Sequence, residues 1–86
     1  MDDMDVEILK AIYEKSHSSL VAPLFLIEKF SISDEELGDR LEIMDEDGYA
    51  KVARGTYALG MSLLNGINYV GIVAKGRQIL RDKKLI

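Results

Sequence analysis

Four residues, Ser33-Asp34-Glu35-Glu36, spell the start of a helix and constrain this chain more than any other feature. A serine hydroxyl at this position accepts the backbone N–H three residues on, and a glutamate there reaches back to the serine amide. Leu37, Leu41 and Met44 follow at i, i+4 and i+7, which gives the helix one narrow apolar stripe. Gly48 stands where a left-handed residue closes such a helix. The segment 33–48 therefore has a fixed start, a fixed end and one buried face.

Upstream, residues 4–15 read as an amphipathic helix with Val6, Ile8, Leu9, Ala11, Ile12 and Tyr13 as its apolar positions. Asp2 and Asp3 can cap its start, and Asp5 and Glu7 favour the positive end of its dipole. The polar run Ser16-His17-Ser18-Ser19 ends it. A second helix is expected from Pro23, which needs no backbone donor at a first helical position. Leu24, Phe25, Leu26 and Ile27 are apolar nearly all round, so this short helix is expected to sit deep before stopping near Phe30. Two helices joined by the turn Ser31-Ile32-Ser33, the second ending in glycine, make a helix-turn-helix over 23–48.

Past Gly48 the period changes. Residues 49–54 and 56–59 read as short strands around Arg54-Gly55, and 61–64 and 67–73 flank Asn65-Gly66, a strong hairpin signal. Either one long wing or a three-stranded meander fits. Residues 75–85 read as a last helix, with Ile79 and Leu80 inward and Arg77, Arg81, Lys83 and Lys84 outward. The expected fold class is mainly α with a small antiparallel β wing (α+β), in the order α-α-α-β-β(-β)-α. One domain spans 1–86, with its wing over 49–73.

The 86 residues suffice for one domain, and 48% hydrophobic with 30% charged is globular composition. Having no cysteine, the chain holds neither a disulfide nor a thiolate metal site. The acidic start Met1-Asp2-Asp3 is unlike a signal peptide, and no apolar run approaches the roughly 18 residues of a membrane span. A cytoplasmic location with no membrane partner is expected. The net charge of −4 conceals a split. Residues 1–48 hold 14 acidic and 4 basic side chains, net −10, whereas 49–86 hold 1 acidic and 7 basic, net +6. Such asymmetry points to faces that meet different partners, or each other.

The string Leu41-Glu42-Ile43-Met44-Asp45-Glu46-Asp47-Gly48-Tyr49-Ala50-Lys51-Val52 resembles the winged-helix pattern in which a recognition helix ends L-x-x-L-x-x-x-G before a strand. Tyr69-Val70-Gly71-Ile72-Val73-Ala74-Lys75-Gly76-Arg77-Gln78-Ile79-Leu80 is similar to the closing pattern Y-x-L-T-x-K-G-R-x-x-L of the MarR, PadR and phage-repressor-like groups. The resemblance runs from about Met4 to Leu85 and implies a winged helix-turn-helix fold that binds double-stranded DNA in transcription regulation. The chain departs from the pattern twice. Ala74 stands where the family's capping threonine is usual. The expected recognition helix sets Asp34, Glu35, Glu36, Asp39, Glu42, Asp45, Glu46 and Asp47 against a single base, Arg40. DNA carries one negative charge about every 1.7 Å of axis, so such a helix is repelled on approach.

Two functions compete. In the first, a DNA-binding regulator contacts phosphates through its wing and basic C-terminal segment, using Lys51, Arg54, Lys75, Arg77, Arg81, Lys83 and Lys84. In the second, a protein-interaction module docks Glu35, Asp39, Glu42, Asp45 and Glu46 on a basic partner or on the mate in a homodimer. The sequence ranks DNA first, by the resemblance. No catalytic constellation, metal site or cofactor motif is expected. His17 is the single histidine, the Asp45-Glu46-Asp47-Gly48 run lacks the alternating ligands of a calcium loop, and the glycines at 55, 60, 66, 71 and 76 suit turns and junctions rather than a phosphate cradle. Tyr49, Tyr57 and Tyr69 are expected to pack the wing on the helices. The chain is not expected to be an enzyme.

Overall fold

The computed structural model describes residues 1–54 and 65–86. Those residues form a small mixed α+β fold of four helices and a two-stranded antiparallel sheet.

Helix α1 (Asp3–Lys15) starts as expected, with Asp2 Oδ1 accepting from the Asp5 amide at 2.8 Å. It buries Val6, Ile8, Leu9, Ala11 and Ile12. Helix α2 (Leu24–Lys29) follows Pro23, whose carbonyl accepts from Leu26 at 2.9 Å. Deep burial of the whole helix does not hold. Leu26 alone is buried, Phe25 and Ile27 are half-buried, and Leu24 stays 40% exposed. A helix this short packs one side on α1 and turns the other outward.

Helix α3 (Asp34–Glu46) carries both expected caps. Ser33 Oγ accepts from the Glu36 amide at 3.1 Å. The Glu36 carboxylate does not turn back to the serine but takes Arg40 Nε at 3.0 Å. At the far end Gly48 adopts φ +84°, the Gly48 amide donates to Asp45 O at 3.0 Å, and the Tyr49 amide donates to Met44 O at 2.8 Å. This pair of bonds satisfies carbonyls that a helix end otherwise leaves open.

Strands β1 (Ala50–Arg54) and β2 (Ile67–Ile72) pair antiparallel, with Ala50 opposite Ile72 and Val52 opposite Val70. The register shifts between Ala53 and Arg54, where Asn68 falls between paired positions and is buried. The choice between one long wing and a three-stranded meander turns on residues 55–64, outside the described residues. The strands expected at 56–59 and 61–64, with Gly55, Tyr57 and Gly60, lie outside the described residues. At the start of β2, Gly66 takes φ +74°, as a turn beside Asn65 requires.

Two tertiary features escaped the sequence. Val21, in the link between α1 and α2, bridges Val70, each amide donating to the other's carbonyl at 2.8 Å. This places β2 between β1 and the α1–α2 link. Helix α4 (Ala74–Asp82) starts one residue earlier than expected and stops three earlier, and Val73 precedes it with no side-chain cap. A left-handed Lys84 (φ +59°) closes α4, with the Lys84 amide on Arg81 O at 2.9 Å and the Leu85 amide on Leu80 O at 2.8 Å. Ile8, Leu9, Ile12, Leu26, Leu37, Leu41, Met44, Ile67, Val70 and Leu80 form the fully buried centre. Each such side chain contributes roughly 1.5–3 kcal/mol through removal from water.

Candidate functional site

The side chains nominated by the sequence divide into those that hold the fold together and those that remain on its surface. Arg40, the lone base of α3, belongs to the first group. Its Nη1 donates to Asp2 at 2.9 Å and to Asp5 Oδ1 at 2.8 Å, while Nε holds Glu36. The guanidinium thereby ties α3 to the N-terminal turn of α1. Three carboxylates around one base raise the Arg40 pKa above its ordinary value, chiefly through the bond to Asp5. The Asp2 carboxyl is held low by the Asp5 amide first and by Arg40 second.

Arg54, at the end of β1, is also engaged. Its Nε donates to Asn65 O at 2.9 Å and its Nη2 pairs with Glu42 of α3. The Asn65 amide completes the cluster, bonding Glu42 and Asp39. A side chain on Gly38 would crowd this amide, since a Cβ there would lie 3.2 Å from Asn65 Cγ. Asp45 is engaged with the sheet, where its Oδ2 accepts the Val52 amide at 3.0 Å on the side of β1 away from β2. Glu42 and Asp45 thus join α3 to β1 and to the residue that leads into β2.

Two bases of α4 are tied down as well. Lys75 Nζ donates to Asp47 O at 2.8 Å and lies 4.4 Å from the Tyr49 ring centre, a cation over an aromatic face. Arg77 Nη1 donates to His17 O at 3.0 Å and reaches Ile72 O at 3.4 Å. His17 itself stacks on Tyr13, with ring centres 4.2 Å apart. Of the seven nominated bases, Lys51, Arg81, Lys83 and Lys84 are exposed and make no side-chain bond among the described residues.

The outward face of α3 remains. Glu35, Asp39 and Glu46 are exposed along it, with Ile43 between Asp39 and Glu46 at 55% exposure. Residues three and four apart on a helix are surface neighbours, so Ile43 sits within the carboxylates. An isoleucine there adds nothing to the core. It gives an otherwise charged face one apolar contact point. A second surface is an open groove of about 500 Å³ beside the start of α2, lined by Leu20, Leu24, Phe25 and Tyr69 with Lys15 and Glu28.

Among the described residues, no group of three or more His, Asp or Glu side chains is placed to hold a metal ion, and no helix is long and apolar enough to cross a membrane. In comparisons with known proteins, no family model, curated protein or solved structure matches this chain.

Proposed function

We propose that the chain is a winged-helix domain that acts as a protein-interaction module, presenting the outer face of α3 to a basic surface. The element order, the capped α3 leading into β1, and the antiparallel wing support the winged-helix part. The interaction part rests on one observation. The face of α3 that a DNA-reading domain would offer the major groove carries Glu35, Asp39, Ile43 and Glu46, and the nearest bases, Arg40 and Arg54, are bonded to carboxylates of the same chain. An anionic backbone is repelled there, and a lysine- or arginine-rich partner is attracted. Capture on immobilised polylysine at low salt tests this. The wild type binds and a Glu35→Lys/Glu46→Lys chain does not; equal retention of the two overturns the reading.

Transcription regulation through DNA is the second reading, favoured by the exposure of Lys51, Arg81, Lys83 and Lys84. It requires duplex binding that weakens with salt, with a slope that falls when those four are changed to alanine. No binding at low salt removes it.

A further inference from the structure

We infer that the basic surface met by the α3 face is the C-terminal segment of a second copy of this chain, in a head-to-tail contact. This inference rests on the protein-interaction reading of α3 and names its partner.

The two surfaces match in charge and in apolar content. One offers Glu35, Asp39 and Glu46 around Ile43, which is 55% exposed. The other offers Arg81, Lys83 and Lys84 beside Ile86, which is 40% exposed. Each is an isoleucine beside a cluster in which one sign dominates, and the dominant signs are opposite; the single acid of the tail, Asp82, accepts from Gln78 of its own helix. They lie on different elements, and among the described residues Glu35, Glu46, Arg81, Lys83 and Lys84 form no ion pair within the chain. The bases that α4 needs for its own packing, Lys75 and Arg77, point elsewhere, to Asp47 O and His17 O. The net −10 of residues 1–48 and +6 of residues 49–86 extend the match beyond the immediate contacts. Like ends repel and unlike ends attract, which favours α3 against the tail of the other copy over α3 against α3.

Two full-length charge-reversed chains test this. The first carries Glu35→Lys/Ile43→Lys/Glu46→Lys and the second Arg81→Glu/Lys83→Glu/Lys84→Glu, with circular dichroism confirming that each keeps the wild-type helix content. In sedimentation at low salt the wild type is expected to run as a dimer or larger and to revert to monomer as salt is raised. Each variant alone runs as a monomer, because its two surfaces then carry the same sign. Mixed in equal amounts, the variants reassociate. A wild type that is monomeric at low salt overturns the inference, as does a variant that self-associates like the wild type, or a mixture that stays monomeric. If the wild type is monomeric yet still binds polylysine, only the partner is wrong. If polylysine binding is absent as well, the reading of α3 fails with it.

Discussion

Helices α3 and α4 end in the same way and are held by different means. Each closes on a left-handed residue whose amide, with that of the next residue, reaches back to the last turn, but α3 uses Gly48 and α4 uses Lys84. Helix α3 is also capped at its start by Ser33, whereas α4 begins at Val73 without a side-chain cap. What fixes α4 is its closeness to the chain beneath it. A Cβ on Gly76 would lie 2.1 Å from Tyr49 O and 2.9 Å from Ile72 Cγ1. Local chemistry defines α3, and tertiary contact defines α4.

Substitutions can break this contrast or sharpen it. Gly76→Ala is expected to do the most damage, about 3 kcal/mol, because the obstacle is a backbone carbonyl that cannot swing aside. Urea denaturation measures it, and a loss under about 1 kcal/mol would show that α4 can lift off Tyr49 and Ile72 freely. Gly48→Ala should cost about 1–2 kcal/mol, the strain of a left-handed residue with a Cβ. Lys84→Gly is the mirror experiment: relieving the same strain in α4 should stabilise the protein by up to about 1 kcal/mol, less the entropy glycine adds to the unfolded chain. A melting temperature lowered by Lys84→Gly would mean that the lysine side chain contributes something its exposed position does not reveal.

The smallest effect is a pH dependence at the start of α1, where Arg40 of α3 clamps Asp2. Asp2 has a folded pKa below its ordinary 3.8, so its stabilisation is complete above that value and is lost as pH falls through the lower folded pKa. Arg40→Met removes one of the two bonds responsible. The gap in melting temperature between wild type and Arg40→Met should be present at neutral pH and narrow below about pH 4. A gap that stays constant into acid would separate the Arg40 contact from the titration of Asp2.

The same contrast explains what the sequence made legible. Ser33, Gly48, the stripe of Leu37, Leu41 and Met44, and the capping aspartate of α1 act within a turn or two of themselves, so their chemistry can be read in order along the chain. The Val21–Val70 bridge, the Arg40 clamp on Asp2 and Asp5, and the bonds of Arg54 and Asn65 to Glu42 join residues that are far apart in sequence. No period or spacing announces them. The site was legible by composition only. Eight carboxylates stand out on and beside α3, but which ones serve the sheet emerges only when Val52 and Arg54 lie alongside. Asp45 and Glu42 are then taken up by the sheet, and Ile43, unremarked in the sequence as an exposed contact, joins Glu35, Glu46 and Asp39, which stays exposed while accepting from Asn65. For the bases, the surface set shrinks to Lys51, Arg81, Lys83 and Lys84 by the same route.

The Val21–Val70 bridge also orders events during synthesis. The α1–α2 link leaves the ribosome some fifty residues before the strand it must join, which brings Ile67, Val70 and Ile72 of the core, and Leu80 comes later still. Until then the emerged portion carries most of the chain's negative charge. Closure must wait for β2, the strand that contacts both β1 and the α1–α2 link, so the contacts that complete the core are long-range ones and cost loop-closure entropy before they form.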